Sequence, residues 1–235
     1  MKQNIFIALI TTLGLFACKP AEITLSPELN AEAMSVKGRN GLQIGQIIRY
    51  GEYRTDKVRR GWTGSYDVPF ILRFQGAKEK MSFTQFGPDG KLAQVACISK
   101  FQSKELPLVQ DFFGIPLEYQ NFFAGNISIA TMNWDFIIHN PNGDFLREKA
   151  SAGFVQNGSN RIDIQAIRGL KGQPDWMKKL TVFGHEFMIN GKVVGAVSTV
   201  NRGKVWIDET LDANTRTVIA ALATGLLLRT DVEGV

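Results

Sequence analysis

The sequence predicts a mainly β fold in which an antiparallel sheet wraps a buried helix at the C-terminus. Three observations predict it. Apolar and polar residues alternate with a period of two through much of the chain, the pattern of strands with one face in a core. Hairpin-type turn residues punctuate those stretches: Pro88-Asp89-Gly90, Asn142-Gly143, Asn157-Gly158, Asn190-Gly191 and Asn201-Arg202-Gly203. The segment from Thr217 to Leu228 is apolar on every helical face yet too short to span a bilayer, so its place is inside the sheet.

The chain opens with Lys2 and an apolar run from Ile5 to Phe16 that closes on Leu15-Phe16-Ala17-Cys18. The run has the length of a signal-peptide core rather than of a membrane anchor. Residues 18–43 read as a tether carrying one short helix, with Ser26 as its N-cap, Pro27 in its first turn, Glu28 facing its dipole and Gly38 as its stop. Fully extended, such a tether reaches ~80 Å, so the domain need not sit flush on a bilayer.

Residues 44–235 read as the folded domain. Phe70, Leu72 and Phe74 form one alternating set, Trp134, Phe136 and Ile138 a second, and Ile162, Ile164 and Ala166 a third. The strongest hairpin signal is Asn190-Gly191, between Phe187-Met188-Ile189 and Val193-Val194. Residues 101–125 hold Pro107, Pro116 and two Phe pairs and read as a short helix or a loop over the sheet. Asp212 is the expected N-cap of the closing helix.

The residues Leu15-Phe16-Ala17-Cys18 resemble the lipobox of bacterial lipoprotein precursors. That resemblance implies that residues 1–17 are removed as a signal peptide and that Cys18 becomes a diacylglyceryl-modified N-terminus. One acyl chain holds a protein on a membrane only marginally, whereas the two or three of such proteins attach it stably. Lys19 stands where an aspartate retains enterobacterial lipoproteins at the inner membrane, which points to the outer membrane, facing the periplasm.

A second resemblance lies at the other end. Gly191-Lys192-Val193-Val194-Gly195, then Lys204-Val205-Trp206-Ile207-Asp208, then the apolar helix ending Leu228-Arg229-Thr230-Asp231, are similar to the end of the tubby C-terminal-like superfamily. That superfamily includes phospholipid scramblases and LURP-one-related proteins. The resemblance is best from Thr181 to Asp231, looser over Phe83 to Leu92, and implies a closed antiparallel β-barrel around a central hydrophobic helix. No stretch matches the calcium-binding segment of scramblases, so a calcium-triggered lipid flip is not implied.

Removal of the signal leaves 218 residues (235 − 17) with a net charge of +4 (26 basic, 22 acidic). A chain of that length buries roughly 70% of its unfolded surface. The mild positive charge suits anionic lipid surfaces and is no nucleic-acid signature. With Cys18 acylated, Cys97 has no partner within the chain for a disulfide.

Catalytic motifs are missing. His185-Glu186 lacks a second histidine at helical spacing, and two histidines with one spare cysteine do not make a zinc site. His185 shares a strand face with Phe183, Phe187 and Ile189 and reads as a core residue, and His139 reads as part of a surface turn. Cys97, in register with Ala93 and Val95, reads as a buried thiol. Asp208, Glu209 and Asp212 stand where carboxylates cap a helix. No nucleophile elbow or phosphate-cradling glycine loop is present, so no catalytic residue, metal or cofactor is assigned.

The functional lead is a basic stretch. Arg49, Arg54, Lys57, Arg59 and Arg60 fall within twelve positions and are followed by Trp62 and Tyr66, rings that favour membrane interfaces. The sequence therefore reads as a lipid-anchored envelope protein, non-enzymatic on balance, that binds anionic head groups or an envelope partner through those five cations. Two alternatives stand beside that reading. One is a scaffold lipoprotein presenting Phe112, Phe113, Phe122 and Phe123 to another protein; the other is a hydrolase with a pocket built on His185 or Asp208.

Overall fold

The computed structural model describes residues 20–40, 44–61, 79–99, 122–139, 151–158, 160–174 and 181–229. The signal and lipidation residues through Cys18, the Phe70-to-Phe74 alternation, the Asn142-Gly143 turn, Trp62, Tyr66, Phe112 and Phe113 lie outside them.

Among the described residues, thirteen strands form one antiparallel sheet. They are β1 (Met34–Ser35), β2 (Arg49–Tyr50), β3 (Tyr53–Thr55), β4 (Arg59–Arg60), β5 (Glu79–Phe86), β6 (Leu92–Ser99) and β7 (Phe122–Ile129). There follow β8 (Met132–His139), β9 (Ser151–Asn157), β10 (Asn160–Ile167), β11 (Gly184–Ile189), β12 (Lys192–Ser198) and β13 (Lys204–Ile207). From β5 to β13 each strand pairs with the next in sequence, an up-and-down meander. β3 and β4 pair with β5, β2 pairs with β3, and β1 returns to pair with β13. The two path ends meet just beyond β1, where the Lys37 N–H donates to the Arg49 carbonyl at 2.8 Å and the Arg49 N–H to the Lys37 carbonyl at 3.0 Å. That bridge completes a nearly closed barrel, which leaves no long unpaired edge among the described strands.

Helix α1 (Ala213–Leu228) fills the barrel. Every residue from Thr217 to Leu228 is buried, and the helix packs on β5, β6, β7, β12 and β13. A helix with no polar face is stable only with apolar walls on all sides, and the inward positions of the strands supply them. The two predicted alternations that fall on described residues lie on strands. Trp134, Phe136 and Ile138 on β8, and Ile162 and Ile164 on β10, belong to the same core as Val218, Ile219, Leu222 and Leu226. So do Ala93, Val95 and Cys97 on β6. Small helix residues let that wall come close, as where Phe123 packs against Gly225.

Three polar side chains around the helix, Tyr50, Thr224 and Gln85, are linked in one chain of hydrogen bonds. The Tyr50 hydroxyl lies 2.8 Å from the Ala220 carbonyl and 2.9 Å from Thr224 Oγ1. Thr224 donates to Gln85 Oε1 at 2.7 Å, and Gln85 Nε2 donates to the Arg54 and Phe86 carbonyls, both at 3.1 Å. Both helix ends are capped from outside the helix. Asp212 accepts from the Asn214 and Thr215 amides, and Arg60 donates to the Leu228 carbonyl at 2.7 Å.

The expected turn residues that are described sit at the junctions between strands. Asn190 and Gly191 both have positive φ and join β11 to β12, the backbone of a primed hairpin turn. The β7–β8 connection instead turns through Ala130 (φ +52°) and Thr131, without glycine or asparagine.

The N-terminal tether is different from the expectation. Residues 20–40 contain no helix; Ser26 and Pro27 open a turn, and the segment lies against the outside of the barrel as a strap. Its Ile23 and Leu25 pack on the outward-facing Trp206 and Ala196 together with Leu170 and Phe183. The Thr24 amide donates to the Gly169 carbonyl at 2.9 Å, and the Ser26 amide to Glu186 Oε1 at 2.7 Å. Covering that outer apolar patch and closing the sheet with β1 both require extended backbone, which overrides the local helix signals. Gly38 ends no helix. Its φ of +86° turns the chain past β2 so closely that a Cβ would collide with the Ile47 carbonyl.

Candidate functional site

The seam that closes the barrel also gathers its cations. Lys37 is bridged to Arg49, Arg49 is the direct partner of Arg54, and Arg54 is the partner of Phe86, which faces Leu92. Within this row Lys37, Arg49, Arg54 and Leu92 are exposed, because the intervening Ile48, Tyr50, Tyr53 and Thr55 point into the core. Like charges directly opposite one another on a sheet repel. Lys37 and Arg49 have no ion-pair partner among the described residues, and Arg54 lies over the Phe86 ring at 4.5 Å. Apolar side chains flank the row: Ile44 is 89% exposed, Leu92 51% and Ile47 38%.

The five cations singled out in the sequence do not all belong to this surface. Arg49, Arg54 and Lys57 are exposed, and Arg59 is exposed while pairing with Asp56 at 3.1 Å. Arg60 is half-buried and turned to the end of α1, where its guanidinium meets the Leu228 carbonyl and, at 3.4 Å, Gln46 Oε1. Its charge opposes the negative end of the helix dipole. Lys37, which sequence reading missed, enters only through pairing across the seam.

Lys37 also borders an open cleft of about 600 Å³ between the strap, β1 and the β12–β13 turn. Trp206, Val200, Ile23 and Leu25 give it apolar walls, and Lys171, Arg202 and Lys204 stand around it beside Lys37. Glu22 is the single carboxylate of the lining. It meets Lys204 at 2.7 Å and Lys171 at 3.0 Å, and those two ammonium groups hold its pKa down at about 2.

The residues considered for catalysis lie elsewhere. His185 is buried on the strand face of Phe187, paired across to Ala166 and Val197, whereas Phe183 precedes the strand and packs in the outer cluster. The Cys97 thiol is fully buried, and desolvation drives its pKa upward, which makes it inert. Asp208 accepts from the Thr210 hydroxyl (2.7 Å) and amide (3.0 Å); these bonds lower its pKa against the opposing effect of desolvation, with help from Lys192 at 3.6 Å. Neither His185 nor Asp208 lines the cleft. Phe122 and Phe123 are buried, so they add nothing to an exposed aromatic patch. Among the described residues no cluster of His, Cys, Asp or Glu is arranged to hold a metal ion, and no helix is long and apolar enough to cross a membrane.

No protein-family model matches the chain, and neither the curated proteins nor the solved structures contain a match to it.

Proposed function

We propose that this is a lipid-anchored protein of the bacterial envelope, on the periplasmic face of the outer membrane, whose barrel binds the anionic head groups of the membrane that holds it. The observation that carries the reading is the unneutralised row of Lys37, Arg49 and Arg54, flanked by exposed Ile47 and Leu92. Side-by-side cations cost the sheet stability, and an anionic surface relieves that repulsion while the apolar flanks enter the interface. Each such cation near an anionic leaflet contributes about 1 kcal/mol, so four, counting Lys57, contribute roughly 4 kcal/mol at low salt.

The strap supports the same orientation. It is bonded to the barrel from Ala21 onward, and Cys18 stands three residues earlier in the chain. An acyl anchor there would leave the barrel wall within about 10 Å of its attachment point, at about 3.3 Å per residue. The resemblance to the tubby-like superfamily fits a role at lipid surfaces without a chemical step.

The test is flotation of the mature chain, made without acyl groups, with phosphatidylglycerol-containing vesicles and with phosphatidylcholine vesicles alone. Flotation with the anionic vesicles only, lost as salt shortens the screening length to about 8 Å, is expected. The Arg49→Glu, Arg54→Glu double variant is expected to reduce it at least tenfold. Equal flotation of parent and variant would remove the seam from the argument. Arg60 is left intact, because its loss would uncap α1.

A further inference from the structure

Charge accounting around the cleft leaves two cations over. Four basic side chains line it, and the Glu22 carboxylate engages only Lys171 and Lys204. Lys37 and Arg202, both exposed, form no ion pair with a described residue. Lys37 also has Arg49 as its cross-strand neighbour, which raises the positive potential at that side of the cleft further.

The rest of the lining has another chemistry. Trp206 and Val200 come from β13 and the β12–β13 turn, and Ile23 and Leu25 come from the strap. The volume of about 600 Å³ falls within the roughly 300–1,000 Å³ of small-molecule sites. A bare anion would leave the apolar wall unfilled, and a neutral lipid would cover two cations without compensating them. A molecule with one apolar chain and one anionic head satisfies both walls.

We propose that this cleft is a binding site for a single-chain anionic amphiphile, its chain against Trp206 and Val200 and its acidic head between Lys37 and Arg202. The inference rests on the cleft and stands whether or not the seam binds membranes.

Isothermal titration of the mature chain, made without acyl groups, tests it with three probes: dodecyl phosphate below its micellar concentration, inorganic phosphate and dodecyl maltoside. Dodecyl phosphate should saturate one site, with the other two at least tenfold weaker. Lys37→Ala with Arg202→Ala should weaken dodecyl phosphate at least tenfold. Ala33→Trp, at an exposed position of the lining, should block the cleft with every charge in place. Absence of saturable dodecyl phosphate binding overturns the proposal, as does equal affinity for inorganic phosphate or unchanged affinity in both variants. The Arg54→Glu, Lys57→Glu variant, which spares Lys37 and its neighbour Arg49, separates the two ideas: it should lose flotation and keep its dodecyl phosphate site.

Discussion

The strap and helix α1 pack against opposite faces of the same sheet, and they are held in different ways. Helix α1 lies inside the barrel, its last twelve residues all buried among apolar side chains and one short hydroxyl–amide network. The strap lies outside, over a small cluster centred on Trp206, and is fixed by backbone bonds to residues 169–171 and by the exposed Glu22 ion pairs. Burial on every side makes the inner element depend on packing and indifferent to salt. The outer element depends on a few polar clips and should respond to pH.

The largest expected effect is therefore on the helix. Leu222→Ala removes a side chain that is 1% exposed at the centre of the core and should cost about 2–5 kcal/mol in urea unfolding. A loss below 1 kcal/mol would mean that the barrel collapses onto the gap and that helix and wall are less tightly fitted than described. Tyr50→Phe should cost less, about 1–3 kcal/mol, because it removes a hydroxyl from a network whose Thr224 and Gln85 remain buried.

The smallest effect belongs to the strap. Glu22 has its folded pKa lowered from 4.5 to about 2, so its stabilising effect is fully present above about pH 4.5 and is lost as the pH falls toward 2. Protection of the Thr24 amide against hydrogen exchange, corrected for intrinsic rates, should decline over that window and become flat in Glu22→Gln. The core amides of α1 should show no such local loss. A parallel decline in both regions would erase the distinction between them.

The inner element was legible in the sequence and the outer one was not, for a physical reason. A helix apolar on all faces can be satisfied only by enclosure, so twelve consecutive residues disclose both its form and its place. The alternation of β8 and β10 and the Asn190-Gly191 turn are likewise local signals. The strap's conformation is set by partners about 150 to 180 positions away: Trp206, Gly169, Glu186 and Lys204. Ser26-Pro27-Glu28 therefore read as a helix start when tertiary contacts required extended chain. The candidate site divides in the same way. Arg49 and Arg54 were visible as neighbours in sequence, while Lys37 and Arg202 come to line one cleft only through the pairing of distant strands. Arg60, taken from the same run, was spent on capping α1. The Ala130-Thr131 turn carried no glycine or asparagine to announce it.

The barrel's closure has a consequence for how the protein comes into being. The first described strand is paired with the last, and the plug that fills the lumen follows both in the sequence. No portion of a nascent chain that lacks α1 has a complete interior to fold around. The meander from β5 to β12 can pair locally, but its inward side chains stay solvated until α1 emerges. Closure thus waits on contacts of high sequence separation, the kind that slow folding. A chain cut short before α1 should persist as an open, aggregation-prone sheet and not as a smaller version of the native molecule.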